Sequence, residues 1–156
     1  MMRTFPNRHA RIVSASAAGL VAAMAWGVPS AGAAATASQK VPLTQTNRSC
    51  DGTVIPPVLA PALGFAAVTR TATDKLAAAV ALKGAAPNTT YAIRLIQLLP
   101  DGSDCQRVDG TLTTDSLGNG NANVQEKLLP GATSAWVDLN GQNDFTNFYD
   151  TAPMSF

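Results

Sequence analysis

Residues 90–98 are Thr-Tyr-Ala-Ile-Arg-Leu-Ile-Gln-Leu, and this stretch gives the clearest fold signal in the chain. Tyr91, Ile93 and Leu95 fall on one side of an extended backbone, whereas Arg94 falls on the other. Large apolar residues at every second position are typical of a strand with one buried face. We therefore predict a β-strand here.

Similar short runs lie on both sides of this stretch, separated by turns rich in Gly, Pro, Asn and Asp. The predicted strands are residues 65–70, 75–83, 90–98, 105–114, 122–128, 135–139 and 148–154. In the run 105–114 we expect Val108 and Leu112 to point inward. Seven short strands with turns at roughly ten-residue intervals, and no convincing helix, predict an all-β fold. The expected architecture is a single immunoglobulin-like Greek-key β-sandwich.

The N-terminal segment has the zones of a secretory signal peptide. Three arginines come first, an uncharged apolar stretch follows at residues 12–28, and small residues complete the segment. We expect cleavage after Ala37 or a few residues earlier, so that residues 1–37 are removed and the product is secreted and extracellular. The alternative is a retained helix that tethers the domain to a membrane.

The remaining chain divides into a lead-in, residues 38–63, and a β-sandwich domain, residues 64–156. Four prolines are distributed through the lead-in: Pro42, Pro56, Pro57 and Pro61. Proline lacks a backbone N–H, so this spacing forbids a helix and allows at most an edge strand. We expect the lead-in to be irregular.

Cys50 and Cys105 are the two cysteines of the chain. An exported protein meets oxidising conditions, and no CxxC spacing indicates a redox site. We predict one structural disulfide that ties the lead-in to the sandwich.

Charge and composition limit the partners and the chemistry. Three of the 11 Lys and Arg residues, and none of the 10 Asp and Glu residues, lie within residues 1–37, which leaves eight positive and 10 negative groups and a net charge of −2. The basic residues are scattered along the sequence, so we expect no nucleic-acid partner and no binding to an anionic membrane surface.

The single histidine, His9, lies in the predicted signal peptide. Its loss excludes Ser-His-Asp and Cys-His catalysis, and it also excludes histidine-dependent metal sites. A hydrolase based on two carboxylates would have to use Glu126, the only glutamate, or the aspartates, most of which lie in turns. We expect no enzymatic activity and no cofactor.

Asp115, Asn119 and Asn121 are weak candidates for a calcium site, because Ca²⁺ prefers oxygen ligands from loops. They do not follow the EF-hand spacing. The alternative is that they hydrogen-bond the backbone of their own turn.

Trp136 is a candidate ligand-binding residue. If Val137 and Leu139 face the core, Trp136 falls on the opposite side of its strand, where an indole can stack on a sugar or enter a partner's pocket. Phe148 and Tyr149 follow closely enough to extend an apolar patch. The alternatives are that the register is reversed or that the lead-in covers the ring.

Three turn motifs resemble those of a known group: Pro87-Asn88-Thr89-Thr90-Tyr91, Gly110-Thr111-Leu112-Thr113-Thr114-Asp115 and Gly118-Asn119-Gly120. From about Lys75 onward, the chain resembles small exported immunoglobulin-like proteins of actinobacteria. More faintly, it is similar to apoproteins of the neocarzinostatin type, seven-stranded sandwiches that hold an enediyne chromophore in a cleft. That family usually has two disulfides, whereas this chain has one cysteine pair.

These observations predict a noncatalytic, monomeric interaction or structural module outside the cell. Its expected partner is an extracellular protein or a cell-surface glycan. The alternatives are a small-ligand carrier like the chromoprotein apoproteins, an enzyme inhibitor or a carboxylate-based hydrolase.

Overall fold

The computed structural model describes residues 38–57, 61–103 and 105–156. The predicted signal peptide lies outside these residues. The strands are β1 (Gln39–Pro42), β2 (Gly64–Arg70), β3 (Lys75–Leu82), β4 (Thr90–Leu98), β5 (Gly110–Thr113), β6 (Gly120–Lys127), β7 (Ser134–Gly141), β8 (Phe148–Asp150) and β9 (Met154–Ser155). This part of the chain has no helix, and so none that is long and apolar enough to cross a membrane.

The strands form two antiparallel sheets. The first sheet has the order β1-β2-β3-β6 and the second has the order β5-β4-β7-β8, with β9 also paired to β7. Buried residues from both sheets belong to one hydrophobic core. The predicted all-β class is confirmed.

The stretch that gave the clearest sequence signal is a central strand of the second sheet. β4 spans the predicted residues and pairs with β5 on one side and β7 on the other. Tyr91, Ile93 and Leu95 are buried in the core. A fully buried side chain of this size contributes about 1.5–3 kcal/mol, so this face alone anchors much of the sheet.

The lead-in is part of this structure. β1 is an edge strand paired with β2, as the prolines allow. Leu43 follows it and is 0% exposed, and Thr44 then pairs with Asp150 of β8. The lead-in therefore passes from the edge of the first sheet to the edge of the second and contributes to the core.

The prediction of a strand over residues 105–114 was too long, and the inward position of Val108 was wrong. The strand covers only Gly110–Thr113, and Val108 is 54% exposed, whereas Leu112 is buried as expected. The Asp109 carboxylate accepts the backbone N–H of Leu95 at 2.8 Å. Because this side chain occupies a ladder position of β4, the preceding residues cannot pair there as a strand.

The last predicted strand, residues 148–154, is two short strands, β8 and β9. Pro153 stands immediately before β9 and has no N–H to donate to a ladder. With β1, this split gives nine strands in the described residues, rather than about seven.

The predicted disulfide between Cys50 and Cys105 is confirmed. It joins the lead-in to the β4–β5 loop across a sequence separation of 55 residues. On the chain-entropy model, a loop of this length stabilises the fold by about 4 kcal/mol.

Candidate functional site

The outer surfaces of the two sheets differ in what lies on them. We call the outward side of β4, β7 and β8 the covered face, because the lead-in and the β4–β5 loop contact it. β7 is buried on both of its sides: Trp136 and Asp138 point to the covered face, and Val137 and Leu139 point to the core. We call the outward side of β1, β2, β3 and β6 the open face.

Trp136 does not form an exposed binding surface, and this part of the prediction was wrong. The side chain has the predicted parity, but it is only 2% exposed. Its indole N–H points to the backbone oxygen of Cys50 at 3.4 Å, and Gly52 also packs close to the ring. The disulfide-linked lead-in therefore covers the tryptophan, which was one of the alternatives considered.

Tyr149 is likewise unavailable to a ligand. It is buried in the core, where its ring lies 5.7 Å from that of Tyr91 in a tilted arrangement. Burial raises the pKa of both phenols, that of Tyr91 to about 12. Phe148 is only half-buried and lies opposite Asn140 on the covered face. The structure thus does not join the three predicted aromatic residues into one exposed patch.

A charged network occupies the covered face beside Trp136. The Arg94 guanidinium donates through Nε to Asp138 and through Nη1 to the backbone oxygen of Cys105 at 2.8 Å. The Asn140 amide donates to both oxygens of Asp138 at 2.7 Å. The network thus connects β4, β7 and the disulfide-linked loop.

Asp150 completes this network with a second carboxyl group directly opposite Asp138. Both side chains are buried, at 3% and 2% exposure. Burial and the neighbouring Asp138 carboxylate raise the pKa of Asp150 to about 9, although Arg48 and Arg94 oppose the shift. At neutral pH Asp150 therefore retains its proton and offers a donor to Asp138.

A shallow hollow of about 220 Å³ opens next to this network. Its lining residues are Ala92, Arg94, Gln106, Val108, Asn140 and Phe145. Phe145 is 76% exposed and, with Val108, forms an apolar rim over a polar floor. The hollow is smaller than the roughly 300–1,000 Å³ typical of small-molecule sites.

The second group of buried carboxylates lies around Glu126. Gln97 donates to Glu126 at 2.8 Å, and Arg107 lies 3.6 Å from Glu126 and 3.0 Å from Asp109. The adjoining hollow measures about 40 Å³, enough for about one water molecule.

Neither carboxylate group is placed for glycoside hydrolysis, which needs two carboxyl groups on either side of a bound sugar. Asp138 and Asp150 are buried under the lead-in, and Glu126 faces a hollow too small for a sugar. Both groups act as internal partners of arginine and amide side chains.

The three calcium candidates do come together, around a hollow of about 230 Å³. Two of the three accept backbone hydrogen bonds, however: one Asp115 oxygen accepts the N–H groups of Leu117 and Asn119, and the Asn119 side-chain oxygen accepts that of Gly84. These backbone bonds lower the pKa of Asp115. Lys83 lines the same hollow, and the described residues contain no group of three or more potential metal ligands of the His, Cys, Asp or Glu type. The alternative, hydrogen bonding to the backbone of the turn, accounts for Asp115 and Asn119.

Within residues 38–57, 61–103 and 105–156, no segment covers the open face as the lead-in covers the other one, although Ser38 lies at its edge. The outward residues of its strands are Lys40 and Pro42, then Phe65, Ala67 and Thr69, then Lys75, Ala77, Ala79 and Ala81, and finally Asn121, Asn123, Gln125 and Lys127. We call Ala77, Ala79 and Ala81 the alanine floor, and Asn121, Asn123 and Gln125 the amide row. Each alanine of the floor lies directly opposite one residue of the amide row.

The alanine floor forms a trough because its side chains are shorter than those of the amide row on one side and of Phe65 and Thr69 on the other, although Ala67 lies between these two. Thr69 and Ala67 border it on one side and the amide row on the other, around a hollow of about 270 Å³. The hollow at Lys83 continues the same line beyond Ala81. From Lys75 to Lys83 the trough runs roughly 26 Å, at about 3.3 Å per residue.

The fold gathers lysines that are scattered in the sequence. Lys40, Lys75 and Lys127 point outward from the open face, and Lys83 follows β3 at its other end. These are all the lysines of the described residues, and all are exposed. We expected no anionic partner because the basic residues are scattered along the sequence. For the lysines this reasoning is wrong, because the fold places them on one face. The absence of a nucleic-acid partner stays a prediction.

Sequence reasoning missed this surface, although part of the signal was present. Lys75 and Lys83 share the parity of the alanine floor, and Lys127 shares that of the amide row. Strand alternation thus indicates the side of each strand, but only the pairing of β3 with β6 brings the two sets together.

Comparison with known proteins gives no relative: no family model, no curated protein and no solved structure matches the chain.

Proposed function

We propose that this protein is a secreted, noncatalytic module that binds an extended glycan in the trough of its open face. The single observation that carries the proposal is the amide row beside the alanine floor. Exposed amides both donate and accept hydrogen bonds, which suits the hydroxyl groups of a sugar chain. The flat floor admits a polymer along the strand direction.

The proposed export and fold rest on separate observations. The Cys50–Cys105 disulfide supports an oxidising compartment, in keeping with the signal-like segment at residues 1–37. The chain crosses between the sheets from β3 to β4, from β5 to β6 and from β6 to β7. These crossings support the immunoglobulin-like Greek-key sandwich that we propose as the finer description of the fold.

The small-ligand carrier remains the second candidate function. The observation that favours it is the hollow with an apolar rim formed by Phe145 and Val108 and a polar floor that includes Arg94. Its small volume and open shape make it less suited to retaining a ligand than the trough is to binding a polymer.

Removal of the amide row tests the proposed function. Protein exported from the full-length gene would be titrated with native polygalacturonate and with its fully methyl-esterified form. We expect Asn123→Ala combined with Gln125→Ala to weaken binding at least about fivefold, because two hydrogen-bonding side chains are lost. Both residues are exposed, so the thermal midpoint should change little.

Gln142→Ala combined with Asn143→Ala is the matched control, since it removes the same residue types from exposed positions in the β7–β8 connection. This control should bind like the wild type. If the wild type bound neither polymer, or if both double variants bound equally well, the proposed function would be overturned.

A further inference from the structure

We infer that the glycan bound in the trough is acidic: a polysaccharide that carries carboxylate groups, which the four lysines of the open face pair with. This inference rests on the proposed function and names the substrate class of the same site.

The first support is the sign of the charge on the open face. The outward positions of β1, β2, β3 and β6 include Lys40, Lys75 and Lys127 and no Asp or Glu. Lys83 adds a fourth positive charge at the far end of β3. Residues 38–156 carry eight positive and 10 negative groups, a net charge of −2, so this surface is opposite in sign to that part of the chain.

The second support is a pair of like charges that the fold does not require. Lys75 and Lys127 are direct partners on neighbouring strands, and both are exposed. Like charges directly opposite each other destabilise a sheet. The amide oxygen of Gln125 gives Lys75 a neutral acceptor at 3.4 Å, and a carboxylate placed between the two ammonium groups would pair with both and reduce their repulsion.

The acidic residues nearest the ends of the trough are already engaged. Asp74 forms an ion pair with Arg70 at 2.9 Å. Asp115 lines the hollow beside Lys83, but it accepts two backbone N–H groups of its own turn. An anionic polymer that runs along the trough therefore meets an ammonium group at each end, and the acceptor that Lys75 already has, Gln125, is neutral.

The composition of the trough favours a polysaccharide over other polyanions. Single-stranded nucleic acids bind through aromatic side chains on which bases stack. Phe65 is the only aromatic residue among the outward positions of the open face, and the Lys40 ammonium lies 3.6 Å from its ring centre. The alanine floor also lacks the large apolar side chains with which proteins enter a membrane interface.

The test compares two forms of one polymer, with and without carboxylates. It also compares two replacements of the lysines, one that removes the positive charge and one that keeps it. Native polygalacturonate carries carboxylates, whereas the fully methyl-esterified polymer has the same backbone without them. We expect the wild type to prefer the native form at least tenfold, with an affinity that falls as salt rises. Replacing all four lysines by glutamine should weaken this binding at least about tenfold, and replacing them by arginine should retain it.

Equal binding of both polymers, still dependent on the amide row, would overturn the acidic character and leave the proposed function standing. Binding of neither polymer would overturn both. Single-stranded DNA and vesicles with an anionic lipid complete the set: if either bound as tightly as native polygalacturonate with the same lysine dependence, the assignment to a polysaccharide would be wrong. Thermal midpoints of the two quadruple variants verify that both remain folded.

Discussion

The covered face and the open face are both outer surfaces of antiparallel sheets, yet their charged residues differ in burial and in pairing. On the covered face, Arg94 is held by Asp138 beneath the disulfide-linked lead-in. On the open face, Lys75 and Lys127 lie side by side in solvent, and neither forms an ion pair with an acidic residue of the described part of the chain. Charge on the first is internal and structural, whereas charge on the second is available to a partner.

The difference shows what the lead-in contributes. A sheet with one solvated face alternates apolar and polar residues, and β3 does so with Leu76 and Val80 inward and Lys75 outward. β7 is buried at five consecutive positions because the lead-in covers its second side. The same type of strand therefore builds either a solvent-exposed surface or an interior layer, depending on whether a segment lies over it.

Breaking the arginine–aspartate pair of the covered face should give the largest effect, and the exposed pair at the β2–β3 turn provides the reference. We expect Arg94→Met to lower the free energy of unfolding by about 3 kcal/mol, because it leaves the buried Asp138 carboxylate without its cation. Arg70→Met removes the exposed pair with Asp74 and should cost less than about 1 kcal/mol. Urea denaturation measures both values. Equal losses would contradict the structural role assigned to the network.

The pH dependence of stability should reveal a second, smaller effect on the covered face, which arises from Asp150. The unfolded chain ionises Asp150 near its ordinary pKa of 3.8, whereas the folded protein keeps the proton until about pH 9. The folded state therefore binds more protons between these values, so this contribution to stability is complete below about pH 4 and is lost as the pH rises towards about 9.

Asp150→Asn mimics the protonated carboxyl group and should remove that dependence. We expect the variant to exceed the wild type by about 1 kcal/mol or more near pH 8, and by less near pH 5. Denaturation curves at the two pH values provide the measurement. A variant less stable than the wild type at both would show that the folded protein needs the ionised carboxylate.

The smallest effect is expected on the open face. Lys127→Glu turns a like-charge pair with Lys75 into an opposite-charge pair and should stabilise the protein by about 0.5 kcal/mol. The same change should weaken binding of polygalacturonate. Thermal melting with Lys127→Gln as the neutral control separates loss of repulsion from gain of attraction. Destabilisation by the glutamate would mean that the two lysines do not repel each other.

Much of the fold was predictable because alternation is a local property. The strand over residues 90–98 and the buried positions of Tyr91, Ile93 and Leu95 matched their predictions, and the strand predicted over residues 75–83 is β3, one residue shorter. The strand predicted over residues 105–114 failed because the Asp109 side chain takes a ladder position that a local pattern does not reveal. The parity of Trp136 was predicted correctly, but its burial depends on residues near Cys50, 86 positions earlier.

The sequence by itself determined most of the strands, the sides to which most of their residues point and the pair of cysteines, since these follow from a two-residue period and from composition. Only the tertiary structure decided which faces are covered and which charges meet. Asp138 and Asp150, or Lys75 and Lys127, become neighbours through strand pairing. Such pairing joins residues distant in sequence, so no local pattern specifies it.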